Sequence, residues 1–462
     1  MLSDISYECA AYRRQLPLWQ RLDDVYKGDR AWLDYGADGS IRTTKKTRSY
    51  LPQEAGETDR DYESRVLRSH FSDKFSQAIK DFVGVIFNNG IELQGVPDAI
   101  AQHWKNLDGS GTGGARLCAR VALQVLRRGH SFVLVDYPAF DESVVSLADM
   151  SGGHRHPIWT LIDPQQVINW RFERLGNRQV LTMAVIRSTV CEPDGFGEVE
   201  KTYYTLLTPG RYECYDPVAS PGGKIDYVLV PGRSGQMGRN VRGRFEPFDF
   251  VPLVGLYGGD RIGNFESNPT LLSMAQLNVT HYQVKSDHRQ KMHYCSFPTP
   301  VRVGGDGSDL ILGPRTVVDV PVGGAFNWSE PNATSLAASS LEVKDLEREM
   351  DFLGSDYLLK PSDRQAAQTS LIQASKVESE LYLFASDLAQ GMTDCLSCHA
   401  AYLGLASGGQ AVLDTKFFTD VGEDPQMLLA LLQMRQNDDL SSGELRAFLE
   451  RRKILGDSNE SQ

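Results

Sequence analysis

The stretch from Asn268 to Val303 constrains this 462-residue chain more than any other. Asn268 suits an N-cap, and Pro269 suits the first helical position, where its missing N–H costs nothing. Met274, Leu277, His281, Val284, His288, Met292 and Cys295 then recur at steps of three and four, which places them on one helical face. Phe297-Pro298 and Pro300 end the run, because the residue before a proline is pushed out of helical geometry. At 1.5 Å per residue such a helix is roughly 40 Å long. Its other face carries Gln276, Thr280, Gln283, Lys285, Asp287 and Gln290. The expectation is a helix too polar for a buried core, one that bridges solvent or packs against copies of itself.

Around it, helices alternate with a β-rich middle. An amphipathic helix is expected near the N-terminus, ending at Lys27-Gly28. Thr58 with Asp61 reads as a capping box opening a helix through Tyr62, Val66, Phe75, Ile79, Phe82 and Ile86. Ser131–Val135 is a continuous apolar run, hence a buried strand. From Pro157 to Pro252 short alternating runs are broken by Gly, Pro and Asp, with polar loops expected around 191–200, 216–224 and 231–245. From Leu336 onward the pattern is helical, with stripes at Val343, Leu346, Met350 and Leu353 and at Leu381, Phe384, Leu388, Met392, Cys395 and His399. A strand is expected at Val412–Phe418, and further helices at Pro425–Gln436 and after Ser441.

Composition narrows the function. The net charge is −12, so no strongly basic surface for gripping nucleic acid is expected. No apolar run reaches the roughly 18 residues that a membrane span needs. The N-terminus is charged from the start, which predicts no signal peptide. The seven cysteines, odd in number and scattered, predict reduced thiols in a cytosolic compartment.

Three features suggest chemistry. Gly109-Ser-Gly-Thr-Gly-Gly114 satisfies the spacing of a dinucleotide-binding loop and opens a helix, with Asp136 ending the next strand. That fingerprint needs a strand before its first glycine, and Ala99–Asp108 reads as helical, so a loop between helices is the default. Cys395-Leu-Ser-Cys398-His399 has the letters of a covalent haem site, but Cys395 and His399 continue an apolar helical stripe and read as core residues. His281, His288 and His293 are seven and five apart, not the i, i+4 of a helical metal pair. No P-loop and no nucleophile elbow occurs. The sequence therefore predicts no catalytic, cofactor or metal residues.

Several segments together resemble phage portal (head-to-tail connector) proteins, in a branch first described as a domain of unknown function. They are Tyr50-Leu51-Pro52 followed by Tyr62 and Arg65; the run to Ile86-Phe87; Val133–Pro138; and Ile162-Asp163-Pro164 with Ile168–Arg171. Leu277-Asn278 with His281-Tyr282 and Asp287, and Leu346 with Met350 and Leu353-Gly354, complete the set. The resemblance implies an α+β, mainly helical portal-type fold that assembles as a ring, usually of twelve subunits, around a channel for double-stranded DNA. It implies a virion protein at one capsid vertex, assembled in the host cytoplasm, with no catalysis and no cofactor. Implied partners are the terminase large subunit, major capsid and scaffolding proteins, and head-completion, adaptor or tail proteins. Mapped on this chain, residues 1–165 are wing, 166–265 a β-rich wing edge and clip, and 266–297 a stem helix. Residues 298–335 are wing strands, 336–405 channel-proximal helices and loop, and 406–462 a small helical crown. Asp356, Lys360, Asp363 and Arg364 are the expected channel loop; Leu277, His281, Val284 and His288 are the expected stem and inter-subunit residues. Two other classes stand beside this one: a nucleotide-binding enzyme using 109–114, and a minor capsid or scaffold protein.

Overall fold

The computed structural model describes residues 4–137, 156–220, 223–241, 244–258, 260–296, 299–304, 320, 322–329, 334–354 and 367–413. Helices and strands are mixed along the chain. In its first third lie α1 (Ala10–Lys27), β1 (Leu33–Tyr35), β2 (Ile41–Thr43), α2 (Thr47–Tyr50), α3 (Asp59–Arg68), α4 (Lys74–Ile86), β3 (Ile91–Gln94), α5 (Asp98–His103) and α6 (Gly114–Arg128). The middle is β: β4 (His130–Asp136), β5 (Ile158–Ile162), β6 (Val167–Leu175), β7 (Arg178–Asp194), β8 (Gly197–Thr208), β9 (Arg211–Ala219), β10 (Ile225–Leu229) and β11 (Gly235–Gln236). It continues through β12 (Gly238–Val241), β13 (Arg244–Pro247), β14 (Leu253–Tyr257), β15 (Asp260–Gly263) and β16 (Glu266–Asn268). Then come the long helix Leu272–Cys295, β17 (Thr299–Val303), β18 (Ala325–Ser329), the partner helix Thr334–Leu353, the C-terminal helix Ala367–Leu403 and β19 (Gln410–Leu413).

Two sheets organise the packing. In the first, β4 is central between β14 and β5, both antiparallel to it. Val133 and Val135 are fully buried there, as the apolar run predicts, against Leu117, Val121 and Val125 of α6. The C-terminal helix adds Leu388, Met392 and Cys395 to the same core. The second sheet runs β10-β9-β8-β7-β6, and its period-two alternation sorts residues between two cores. Val167, Ala184, Ile186 and Leu207 face Phe132, Leu253 and Phe265. Their neighbours Ile168 and Val185 face Tyr12 and Trp19 of α1. One amphipathic helix thus closes the back of that sheet while its last turns, Leu22 and Val25, enter the main core beside Trp32. Gly28 ends α1 at φ 70°, and a Cβ there would fall 2.6 Å from Asp73 Oδ1, so the chain turns where only glycine fits.

The structure departs from expectation in four places. Asn268 does not cap the long helix: it closes β16, its Nδ2 donates to Asp260 Oδ2 at 2.8 Å, and helix begins only at Leu272. The helix expected from Tyr62 to Ile86 is broken at Ser69–Asp73. Thr58 does cap its first half, accepting from Asp61 N at 3.2 Å. The second half is capped from over 200 residues away, for Asn278 Oδ1 accepts from Phe75 N at 2.9 Å. Tertiary contact overrides a periodicity that runs straight through. Third, two expected loops carry strands: β7 and β8 continue through 191–200 to Asp194↔Gly197, joined at Gly195 with φ 62°, where a tight hairpin turn takes glycine, and β11, β12 and the start of β13 fall within 231–245. Fourth, the share of strand is larger than a mainly helical reading allows, as the β4–β16 region shows. Pro425–Gln436, the helix after Ser441 and the strand beyond Leu413 lie outside the described residues.

Candidate functional site

The long helix has two regimes along its length. Its first three turns are rooted in the core: Met274, Ala275, Val279 and Tyr282 are buried with Phe71, Phe75 and Trp32. Asn278 is fully buried among them and both ends of its amide are used, Oδ1 by Phe75 N and Nδ2 donating to Ser72 O at 2.8 Å. That corrects the expectation of a helix too polar to be buried. Its polarity is consumed by backbone groups of the segment 47–75, which is how a buried amide avoids its desolvation cost. Gln283 Nε2 donates to Tyr50 O at 2.9 Å, and Ser69 Oγ donates to Ser286 Oγ at 2.7 Å. Arg289 Nη1 donates to Arg68 O at 2.8 Å.

Beyond Ser286 the helix leaves the core, and Met292 and Tyr294 are about half exposed. From Ser286 to Cys295 this outer part is roughly 15 Å long. The partner helix Thr334–Leu353 runs antiparallel beside it. Met274 lies against Gly354, His281 Nε2 is 3.2 Å from Glu347 Oε1, and His288 Nδ1 is 2.7 Å from Ser339 Oγ. Between the two helices, β17 and β18 form a two-stranded ribbon with Val301, Val303 and Trp328 exposed. The two antiparallel helices make one arm, and the ribbon lies between them in the chain.

The residues expected on the stem are therefore distributed. His281 and His288 face the partner helix, while Leu277 packs half-buried against the main core and Val284 is half-buried. His281 is 1% exposed, and burial lowers its basicity despite the opposing pull of Glu347. A neutral ring donating Nε2–H to a carboxylate already shared with Lys285 fits that balance. The three helix histidines do not converge on one point, and no cluster of metal-ligating side chains occurs among the described residues. Asp356, Lys360, Asp363 and Arg364 lie outside the described residues.

The glycine loop is a closed structural turn. Asp108 Oδ1 accepts from Ser110 N and Thr112 N at 2.9 Å, and Asn106 Oδ1 accepts from Gly111 N at 2.7 Å. Amides that would cradle a phosphate are occupied by the chain's own carboxylate, which would also repel the ligand. Gly114 is required for packing, because a Cβ there would sit 2.2 Å from the Trp104 ring. Asp136, the acid expected to accompany that loop, is held protonated more readily than usual by burial.

Cys395 and His399 are fully buried, and all seven cysteines are free. His399 joins a cluster that sequence spacing could not reveal. Trp159 Nε1 donates to His399 Nδ1 at 3.1 Å, and since an indole can only donate, His399 carries its proton on Nε2. That proton is donated to His103 Nδ1 at 3.1 Å, and His103 stacks on His156 with centroids 4.6 Å apart. The cluster joins α5, the start of β5 and the C-terminal helix.

Two of the segments that carry the portal resemblance, 50–65 and 277–287, meet in space. Tyr62 Oη donates to Leu51 O at 2.8 Å, and Arg65, 2% exposed, donates to Pro52 O at 2.6 Å and to Glu57 at 2.8 Å. Arg65 also lies 3.9 Å from Asp287 on the long helix. Residues 270–403 match the sequence model of a family described as a domain of unknown function (DUF4055). That span opens at the root of the long helix and closes at the end of the C-terminal helix. No curated protein matches this chain. Among solved structures, a chain from the neck of a native GTA particle computed with C12 symmetry is similar at 12% identity, with 86% of this chain and 95% of that one covered and a TM-score of 0.41. A chain from the neck of an empty GTA particle computed with C6 symmetry gives 12%, 90%, 95% and 0.40. A chain from the virion of a native gene transfer agent particle gives 12%, 93%, 98% and 0.35. Likeness at that level fixes neither fold nor role.

Proposed function

We propose that this chain is a phage portal (head-to-tail connector) subunit, a structural virion protein that forms a ring at one capsid vertex. The observation that carries this reading is the arm: a helix rooted in the core by Asn278, running out beside an antiparallel partner, with a strand ribbon between the two in sequence. The family match over 270–403 covers this arm and includes two of the segments on which the resemblance rests. In a ring, the long helix Leu272–Cys295 is channel wall, and Asp356, Lys360, Asp363 and Arg364 belong to the loop that reaches into the channel. Double-stranded DNA passes through without tight grip, because a chain of net charge −12 offers no strongly basic surface to bind phosphate and release counterions. Terminase docks on the ring first, and head-completion or tail proteins follow.

Electron microscopy of the purified protein tests this reading. Rings with a central hole are expected; a monodisperse monomer at high concentration, alone and with the capsid and scaffolding proteins, would overturn it. Leu277→Asp or Val284→Asp is expected to break ring assembly and Gln283→Ala to leave it intact. Charge reversal at Asp356 and Asp363 is expected to impair packaging of DNA while rings still form.

A further inference from the structure

Beyond Ile186, β7 and β8 leave their sheet. β6 pairs with β7 only up to Val167↔Ile186, and β9 pairs with β8 only from Tyr204 onward. β7 and β8 nevertheless stay in register from Arg187↔Tyr204 to Asp194↔Gly197. The result is a two-stranded ribbon about 25 Å long at 3.4 Å per residue. A lone two-stranded ribbon is marginally stable in water, so something should cover it.

The surface of this ribbon is specific. Phe196 at its turn is entirely exposed, and Val190 and Val199 are exposed along it. Glu192 is held by Lys201 at 2.9 Å and Arg233 at 2.6 Å. Asp194, Glu198 and Glu200, by contrast, have no ionic partner among the described residues. The tip is apolar with an acidic rim.

The complementary surface is on the same chain. The β1–β2 hairpin exposes a cross-strand apolar pair, Tyr35↔Ile41. The segment Ile41–Arg48, IRTTKKTR, carries four cations and no acid. Arg42 is bonded only to Asp38 at 3.5 Å with both side chains over 60% exposed, a pair of little strength, and Lys45 has no ionic partner among the described residues. The two surfaces lie at opposite ends of α1. Its start holds the base of the ribbon, with Glu8 just before it 2.9 Å from Arg187 and Tyr12 Oη accepting from Arg187 at 2.7 Å. Its end holds the basic segment, with Asp24 Oδ1 2.6 Å from Lys46 Nζ. The 18 residues of α1 separate them by about 27 Å. Among the described residues no hydrogen bond or ion pair joins the ribbon to the hairpin of its own chain, and two different patches make a head-to-tail contact of the kind that closes rings.

We propose that the ribbon Arg187–Tyr203 of one copy docks on the Leu33–Arg48 hairpin of the next. Phe196, Val190 and Val199 cover Tyr35 and Ile41, while Asp194, Glu198 and Glu200 face Arg42 and Lys45. This contact rests on the ring reading above and names the surfaces that close it. The test is charge exchange, read by analytical ultracentrifugation and native mass spectrometry, with circular dichroism confirming that each variant folds. The triple variant Asp194→Lys, Glu198→Lys, Glu200→Lys is expected to associate at least tenfold more weakly, and so is Arg42→Glu with Lys45→Glu. The two sets combined in one chain are expected to recover association, because the pairing is restored with signs exchanged. Wild-type rings that ignore both sets, or a combined variant no better than either, overturn the contact and leave the ring reading standing. A wild-type chain that never associates overturns both.

Discussion

Acid should loosen the junction of α5, β5 and the C-terminal helix, and His399 sets the size of the effect. Its ring is fully buried and its Nδ1 is occupied by the Trp159 donor, so adding a proton there would set two N–H groups against each other. Burial, with His103 and His156 as lesser contributors, pushes its pKa down to about 3. An unfolded histidine titrates near 6.5. Between those values the unfolded chain binds the proton and the folded one does not, so stability is fully present above pH 6.5 and is lost as pH falls toward 3. At about 1.36 kcal/mol per unit, His399 alone accounts for a loss of about 2.7 kcal/mol between pH 7.5 and 4.5. His399→Gln keeps an amide that can accept from Trp159 and donate to His103, and removes the titration. Urea unfolding followed by tryptophan fluorescence at both pH values measures the difference. The wild type should lose more than the variant by about 2.7 kcal/mol, with contributions from groups outside this cluster, including the similarly buried His130, cancelling. Equal losses in the two proteins would refute the tautomer assignment and the lowered pKa together. Histidine NMR gives a second reading, in which the signal lost in the variant should remain that of a neutral ring at pH 4.5.

Other outcomes follow from buried partners. Asn278→Ala strips Phe75 N and Ser72 O of their partner and is expected to cost about 2–4 kcal/mol, read as a lowered thermal midpoint. Glu57→Gln leaves Arg65 buried without its carboxylate and is expected to cost about 3–5 kcal/mol, whereas surface pairs such as Arg48–Asp59 removed by Asp59→Asn should change stability by under about 1 kcal/mol. Gly114→Ala must displace the Trp104 ring, so the fluorescence of the folded protein should shift along with its midpoint; an unchanged spectrum and midpoint would show that the loop yields freely.

Local rules were legible wherever neighbours in sequence decide the outcome. Thr58 caps its helix, Gly28 ends α1, and the run 131–135 is a buried strand, because each depends on a few adjacent residues. Long-range partners decide the rest. Asn278 reads as one more polar residue on a helix, and only the fold shows that it caps α4 and thereby breaks a helix drawn from continuous periodicity. The glycine loop satisfies a spacing rule that ignores Asp108 and Asn106, whose side chains fill the site from within. The ribbon 187–203 was hidden for another reason: with both faces in water, its strands RSTVCEPD and GEVEKTY carry no sustained polar–apolar alternation. His103, His156, Trp159 and His399 carry no spacing signal, since the two ends of the cluster are 296 residues apart.

The polarity of the long helix can now be assigned to two causes rather than one. In its root, Asn278, Gln283 and Ser286 each satisfy or join a group in the segment 47–75, so polar side chains fix position where apolar ones would fix only burial. In its outer half, Asp287, Gln290 and Lys291 meet solvent, and the helix is held laterally by His288 against Ser339. A helix clamped by directional bonds at one end and supported along one side behaves as a lever whose angle is set by its root. The same root gathers Tyr50, Leu51, Pro52, Tyr62 and Arg65, which belong to the segments that resemble portal proteins. Those residues are therefore best understood as the hinge plate of the arm. In the proposed ring, a weakened root, as in Asn278→Ala, should then disturb ring geometry at temperatures where the subunit is still folded. Electron microscopy of that variant below its thermal midpoint checks this, and uniform wild-type rings would show that the arm is aligned by its neighbours instead.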